Sequence, residues 1–197
     1  MCISGDADRI PWPKPDGYKP ADFLLMQRAL DAAGGKTQFS MPGSALPGYP
    51  GKKKKYCNCC GITVASSDQP TLNKGWANAT WERKQEIIAD HKYFELGTLY
   101  YFANDVTGPH AAATKTRFND YGLCADEFQD NGHLPYQLYI RISNRLVGDY
   151  VMTQNNIGNP RPKPDSIAVG DWSFDEHVSG HFQLSVSRFT VLCADLT

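Results

Sequence analysis

The densest run of chemically capable side chains in this 197-residue sequence lies at residues 126–133, which read Asp-Glu-Phe-Gln-Asp-Asn-Gly-His. Asn131-Gly132 is a typical turn dipeptide, and such a turn would display Asp130 beside His133. A carboxylate that orients an imidazole suits proton transfer, because the ordinary pKa of histidine lies near neutral pH. Taken alone, these residues still favour a plain polar turn over a catalytic one.

Two further histidines, His177 and His181, stand four residues apart, the spacing at which a helix directs two imidazoles toward one metal ion. Ser179 and Gly180 lie between them, and glycine is unfavourable inside a helix. We therefore interpret the pair as two unrelated surface histidines rather than as metal ligands.

The six cysteines indicate neither a metal site nor a disulfide scaffold. Their share of the chain is well below that of small disulfide-rich domains. Adjacent cysteines cannot easily direct both sulfurs at one tetrahedral zinc ion, and the ferredoxin spacing C-x2-C-x2-C is missing. The sequence predicts loop cysteines without a metal or an iron–sulfur cluster and leaves their pairing open. Three are crowded together and three are isolated: Cys57, Cys59 and Cys60, then Cys2, Cys124 and Cys193.

The charge balance excludes some classes of partner. With 20 Lys+Arg and 21 Asp+Glu the formal net charge is −1, whereas a nucleic-acid-binding domain is usually basic. The longest apolar run falls short of the ~18 residues that a membrane span needs. Residues 52–55 are four lysines, which we expect in a solvated loop. Asn78-Ala79-Thr80 is an N-glycosylation tripeptide, relevant only if the protein enters a secretory pathway.

Local signals place the helices in the first two thirds of the chain, and one begins at Pro20 and stops at Gly34-Gly35. A stronger helix follows the N-cap Thr80, and from residue 96 to residue 102 apolar side chains surround its axis, which predicts burial on all sides. A short helix is expected over residues 110–118. The apolar face of the first helix is predicted to contain Phe23, Leu24, Gln27 and Leu30.

After Pro135 the apolar period changes to two, which is typical of strands. Strands are predicted within residues 137–152, at 166–169 and within 182–193. The fold class is therefore α+β, with helices in the first two thirds and an antiparallel or mixed sheet in the last third. No G-x-G-x-x-G motif occurs, so the sequence has no recognisable nucleotide cradle of its own.

Several blocks are more specific together than any single motif. Residues 9–18 read R-I-P-W-P-K-P-D-G-Y, residues 99–105 read L-Y-Y-F-A-N-D, and residues 122–133 read G-L-C-A-D-E-F-Q-D-N-G-H. In this order, and with Pro164-Asp-Ser-Ile167, they resemble the central part of a family of FAD-dependent oxidoreductases, some of whose members carry the name xanthan lyase. The resemblance covers residues 1–177, and residues 178–197 form a tail that does not match.

The resemblance implies a substrate or cap portion, inserted between two parts of a dinucleotide-binding fold, that covers the flavin and lines a chamber for a small-molecule substrate. FAD is implied by the resemblance and not by any motif in the chain. Because the Rossmann half is lacking, we expect a fragment or a divergent family member. Such a chain would need the missing FAD-binding portion as its partner and would be inactive by itself.

The resemblance also suggests roles for individual side chains. His133 and His177 are candidates for acid–base catalysis, oriented by Asp130, Asn131 and Asp175. Five residues are candidates for binding an anionic substrate or the cofactor, or for lining the chamber. They are Asn131, Arg141, Arg145, Tyr150 and Trp172. Strand-surface ion pairs are an equal alternative for the two arginines. The alternative function is a non-catalytic binding module, with carbohydrate as a candidate ligand, that uses exposed Trp and Tyr residues as stacking platforms.

Overall fold

The computed structural model of the chain describes residues 1–36, 54–56, 72–138 and 140, together with 144, 147–151, 153 and 156. Three α-helices and three short strands are present in these residues, together with short 3-10 and π-helical turns. The helices are α1 (Leu24–Ala32), α2 (Trp81–Tyr100) and α3 (Ala111–Asn119). The strands are β1 (Cys2–Ser4), β2 (Lys54–Tyr56) and β3 (Gly122–Leu123).

The first helical segment begins where the sequence predicts. A 3-10 turn over Pro20–Phe23 leads into α1, and Gly34 and Gly35 end it with φ values of 61° and 84°. Only glycine enters this region of φ at low cost, which is why the pair stops the helix. The predicted apolar face is wrong at one position, because Leu24 is 52% exposed and Met26 is buried in its place.

The long helix α2 confirms the predicted N-cap, since the Thr80 hydroxyl accepts a hydrogen bond from the backbone N–H of Arg83 at 3.3 Å. Leu96 to Leu99 are all buried, as predicted for this end of the helix. The chain then continues into a π-helical turn over Tyr101–Asp105. Among the described residues, no helix is both long enough and apolar enough to cross a bilayer.

Gly97 of α2 allows the 3-10 turn before α1 to approach closely. A Cβ atom at this position would lie 2.1 Å from Cζ of Phe23, which is too close for two carbon atoms that are not bonded to each other. The Phe23 ring also stacks on the Tyr18 ring, with centroids 5.2 Å apart. The missing side chain of Gly97 therefore makes room for aromatic rings of the segment before α1 against α2.

The proline-rich segment before α1 wraps around this core. Trp12 is 4% exposed, and its indole N–H donates to the carbonyl of Phe118 at 2.8 Å. The hydroxyl of Tyr18 donates to the carboxylate of Asp105 at 2.8 Å. Burial and this hydrogen bond both raise the pKa of Tyr18, because each disfavours the phenolate.

The three strands form one antiparallel sheet in the order β2-β1-β3. Ile3 of β1 pairs with Leu123 of β3, and both side chains are fully buried. The described residues thus have a mixed α+β fold, and local patterning did not predict this sheet, because its strands lie far apart in the chain. The strands predicted within residues 137–152, at 166–169 and within 182–193 fall largely outside the described residues and stay predictions.

Candidate functional site

The predicted turn belongs to a longer segment, residues 124–136, which we call the His133 loop. It follows β3 directly, and β3 is held against the proline-rich segment by mutual backbone hydrogen bonds between Ile10 and Leu123 at 3.0 and 2.8 Å. A Cβ at Gly122 would lie 2.2 Å from the carbonyl oxygen of Ile10, so the backbones approach too closely for any side chain. The loop therefore begins at a rigid point.

A disulfide between Cys2 and Cys124 joins β1 to the first residue of the His133 loop. The Cα atoms of the two cysteines are 5.8 Å apart, and their side chains are buried. The prediction of loop cysteines left pairing open, and the spacing of 122 residues offers no signal for it. The carboxylate of Glu127 lies within 4.8 Å of both sulfurs, but the disulfide engages both of them.

The His133 loop contains three residues with left-handed backbone conformation. Phe128 has a φ of 48°, Gly132 of 63° and His133 of 64°. Phenylalanine and histidine carry a steric cost in this region, so neighbouring contacts must hold them there. Two such contacts are backbone hydrogen bonds from Asn131 and His133 to the carbonyl of Phe128, at 2.9 and 2.8 Å. Strain of this kind is common at functional sites.

The His133 imidazole is held through one of its nitrogen atoms. Nδ1 lies 3.1 Å from the carbonyl oxygens of both Cys124 and Glu127. Carbonyl oxygens only accept hydrogen bonds, so Nδ1 must carry the proton in the neutral ring. Nε2 then has the lone pair, and no described residue hydrogen-bonds to it. The half-buried ring therefore has one nitrogen that positions it and one that can accept a proton.

Asp130 does not supply the contacts that orient this ring. Its carboxylate accepts a hydrogen bond from the hydroxyl of Tyr136, and the bond raises the pKa of the tyrosine because it favours the protonated phenol. The Tyr136 ring meets the Phe128 ring edge to face, with centroids 5.2 Å apart. The two carbonyls described above therefore replace the predicted carboxylate as partners of His133.

Asn131 closes the loop on itself. Its side-chain N–H group donates to the carbonyls of Leu134 and Pro135, at 2.9 and 3.2 Å. These contacts stabilise the turn before Tyr136. The predicted role of Asn131 in binding a substrate or cofactor stays a prediction.

Lys54 connects β2 to the same loop. Its ammonium group pairs with the carboxylates of Asp126 and Glu127, and the side chain is only 4% exposed. Burial alone lowers the pKa of Lys54, but the hydrogen bonds to the two carboxylates outweigh burial and raise it. The expectation that the four lysines lie in a solvated loop is wrong for Lys54, because this residue is buried in β2. Its partners are 72 and 73 residues away in the sequence, so local patterning gives no signal for the contact.

Of the other predicted site residues, the structure describes Tyr150. Tyr150 is 55% exposed in the short described stretch 147–151. The rest lie outside the described residues and stay predictions: Arg141, Arg145, Trp172, Asp175 and His177. Sequence reasoning thus found His133 and its turn but missed Cys2, Cys124 and Lys54, which anchor the loop.

FAD requires a cradle for its phosphates and polar or aromatic side chains around its ring. The sequence contains no G-x-G-x-x-G cradle. The His133 loop supplies the second kind of group, namely an imidazole with an accepting Nε2 and the exposed Tyr136 ring. These groups are of the type that surrounds a flavin ring or its substrate, whereas the sequence has no motif for the ADP phosphates.

Comparison with known proteins identifies the family of the chain. Residues 2–191 match the family described as FAD dependent oxidoreductase. Neither a curated protein nor a solved structure matches the chain. The family match confirms the resemblance of the ordered sequence blocks and does not favour a separate binding module. The family match spans nearly the whole sequence, and the chain therefore belongs to the FAD-dependent oxidoreductase family.

Proposed function

We propose that this chain forms the substrate-chamber part of a flavin-dependent oxidoreductase and that His133 exchanges a proton with the bound substrate. The observation that carries the proposal is the pair of hydrogen bonds from Nδ1 of His133 to the carbonyls of Cys124 and Glu127. They leave Nε2 as the accepting nitrogen of a ring held by an anchored loop.

The same contacts support both protonation states of the imidazole. In the neutral ring, the Nδ1–H group donates to the two carbonyl oxygens. When Nε2 takes up a proton, the Nδ1–H group can continue to donate to the same two carbonyl oxygens. The ring therefore need not move during proton transfer, which is the arrangement expected of a general base or acid.

FAD, when bound, supplies the redox chemistry, since it accepts or donates the electrons that the side chains cannot. We assign its ADP part to a glycine-rich segment that these 197 residues do not contain. His177 and Asp175 are proposed as a second proton-handling pair. Arg141 and Arg145 are proposed to bind an anionic group, and two aromatic residues to line the chamber: Tyr150 and Trp172.

The test has two stages. FAD is titrated into the purified chain and into the chain mixed with a polypeptide that carries a G-x-G-x-x-G flavin-binding half, and quenching of flavin fluorescence is measured. Uptake in the mixture supports the proposal, whereas no uptake in either sample refutes it. Retention on a polysaccharide gel without flavin uptake would instead indicate the carbohydrate-binding module.

The second stage uses His133→Asn in the reconstituted enzyme. The asparagine amide can replace the Nδ1–H donor and tolerates positive φ, but it has no counterpart of Nε2. With an electron donor that the unmodified enzyme oxidises, we expect turnover to fall by about 10²-fold or more while FAD still binds. Unchanged turnover would remove His133 from the reaction without touching the flavin assignment.

A further inference from the structure

Asn78-Ala79-Thr80 is the only Asn-x-Ser/Thr tripeptide in the 197 residues. It is the acceptor sequence for N-linked glycosylation, a modification that needs a surface position and a secretory compartment. The flavin chemistry proposed above makes no use of it. Its structural setting and a second, independent feature of the chain bear on whether it is modified.

The tripeptide lies on the surface between two helical segments. Asn78 ends a 3-10 turn over Trp76–Asn78, and the backbone is extended at Ala79 (φ −74°, ψ 145°) and Thr80 (φ −64°, ψ 168°). Asn78 and Thr80 are both exposed. No described residue hydrogen-bonds to the Asn78 side chain. The acceptor amide is therefore accessible without any rearrangement of the fold.

Aromatic side chains flank the acceptor. Trp76 lies two residues before Asn78, and the ammonium of Lys84 sits 5.6 Å from the centroid of its ring. Trp81 lies three residues after Asn78 and is 71% exposed. Two indole rings therefore lie within three residues of the acceptor in the sequence.

The independent feature is the disulfide between Cys2 and Cys124. Structural disulfides form and persist in oxidising compartments and are rare where cellular thiols are kept reduced. This one is buried and joins residues 122 positions apart in the sheet that carries the fold. In a eukaryotic cell, the lumen of the endoplasmic reticulum permits such a bond, and asparagine is glycosylated in the same compartment.

From these two features together we propose that Asn78 is an acceptor site for N-linked glycosylation when the folded chain is in an oxidising secretory compartment. The full 197-residue chain can be tested by cell-free translation in the presence of microsomes. A leader for the endoplasmic reticulum is fused to its N-terminus, and a tag that contains a second acceptor tripeptide is fused to its C-terminus. Only chains with a glycosylated tag are scored, so every scored chain has entered the microsomes. We expect a second glycan, which endoglycosidase removes.

The variants separate modification from folding, because the Thr80 hydroxyl also caps α2. Asn78→Gln removes the acceptor, and Thr80→Asp removes the tripeptide while keeping a good N-cap. We expect the second glycan to be lost in both and retained in Thr80→Ser. Scored chains that carry only the tag glycan would overturn the proposal, and so would a second glycan that persists in Asn78→Gln.

Discussion

Nδ1 of His133 lies 3.1 Å from the carbonyl oxygen of Cys124, and Cys124 is bonded through its sulfur to Cys2. The residue that anchors the candidate imidazole is thus covalently joined to the central strand of the sheet. This relationship couples the stability of the fold to the position of the ring.

Replacing Cys2 or Cys124 with Ser should destabilise the chain by about 2–5 kcal/mol, because the crosslink closes a long loop and restricts the unfolded state. Urea denaturation followed by tryptophan fluorescence measures the change. A dithiol reductant should bring the unmodified chain to the same midpoint and leave the variants unaffected. Equal midpoints for oxidised chain and variants would show that the bond contributes nothing.

His133→Ala should cost about 1–3 kcal/mol, since it removes the hydrogen bonds to the two carbonyls and places alanine at a φ of 64°. His133→Asn should stay close to the unmodified chain, because asparagine keeps a donor and adopts this φ readily. Thermal unfolding of both variants distinguishes them. If alanine and asparagine are equally stable, the carbonyl contacts do not hold the loop.

Gly97→Ala should destabilise the chain by about 1–3 kcal/mol even though alanine favours helix, because its methyl group would overlap the Phe23 ring. Chemical denaturation gives the free energy of unfolding. In a Phe23→Leu background the same substitution should cost less, since the colliding ring is gone, and a double-mutant cycle measures the difference. A cost that is identical in both backgrounds would contradict the close approach.

The raised pKa of Tyr18 predicts an alkaline loss of stability. The folded chain holds the phenol proton more tightly than the unfolded chain, so unfolding at high pH releases it. The advantage over Tyr18→Phe is therefore fully present below pH ~10, the ordinary pKa of tyrosine, and is lost as the pH rises toward the raised value. Denaturation of both proteins across this range tests it, and a difference that does not vary with pH would refute it.

Features with local causes could be predicted. The N-cap of α2 involves Thr80 and a donor three residues later, and α1 ends at two consecutive glycines. The turn that presents His133 follows from Asn131-Gly132 in the same way. The burial of individual side chains in α1 could not be predicted in the same way. Leu24 and Met26 lie within one helical turn of each other, and packing against the rest of the fold decides that Met26 is the buried one.

Local residue patterns were enough to predict the helix boundaries and the turn at His133, and the order of the sequence blocks indicated the FAD-dependent oxidoreductase family. The folded chain was needed to show that Cys2 bonds to Cys124, that Lys54 is buried against Asp126 and Glu127, and that carbonyls hold His133. The difference lies in the separation of the partners along the chain. A cap or a turn is stabilised by neighbours within a few residues, whereas a disulfide or a buried ion pair forms between groups that only the completed fold brings together.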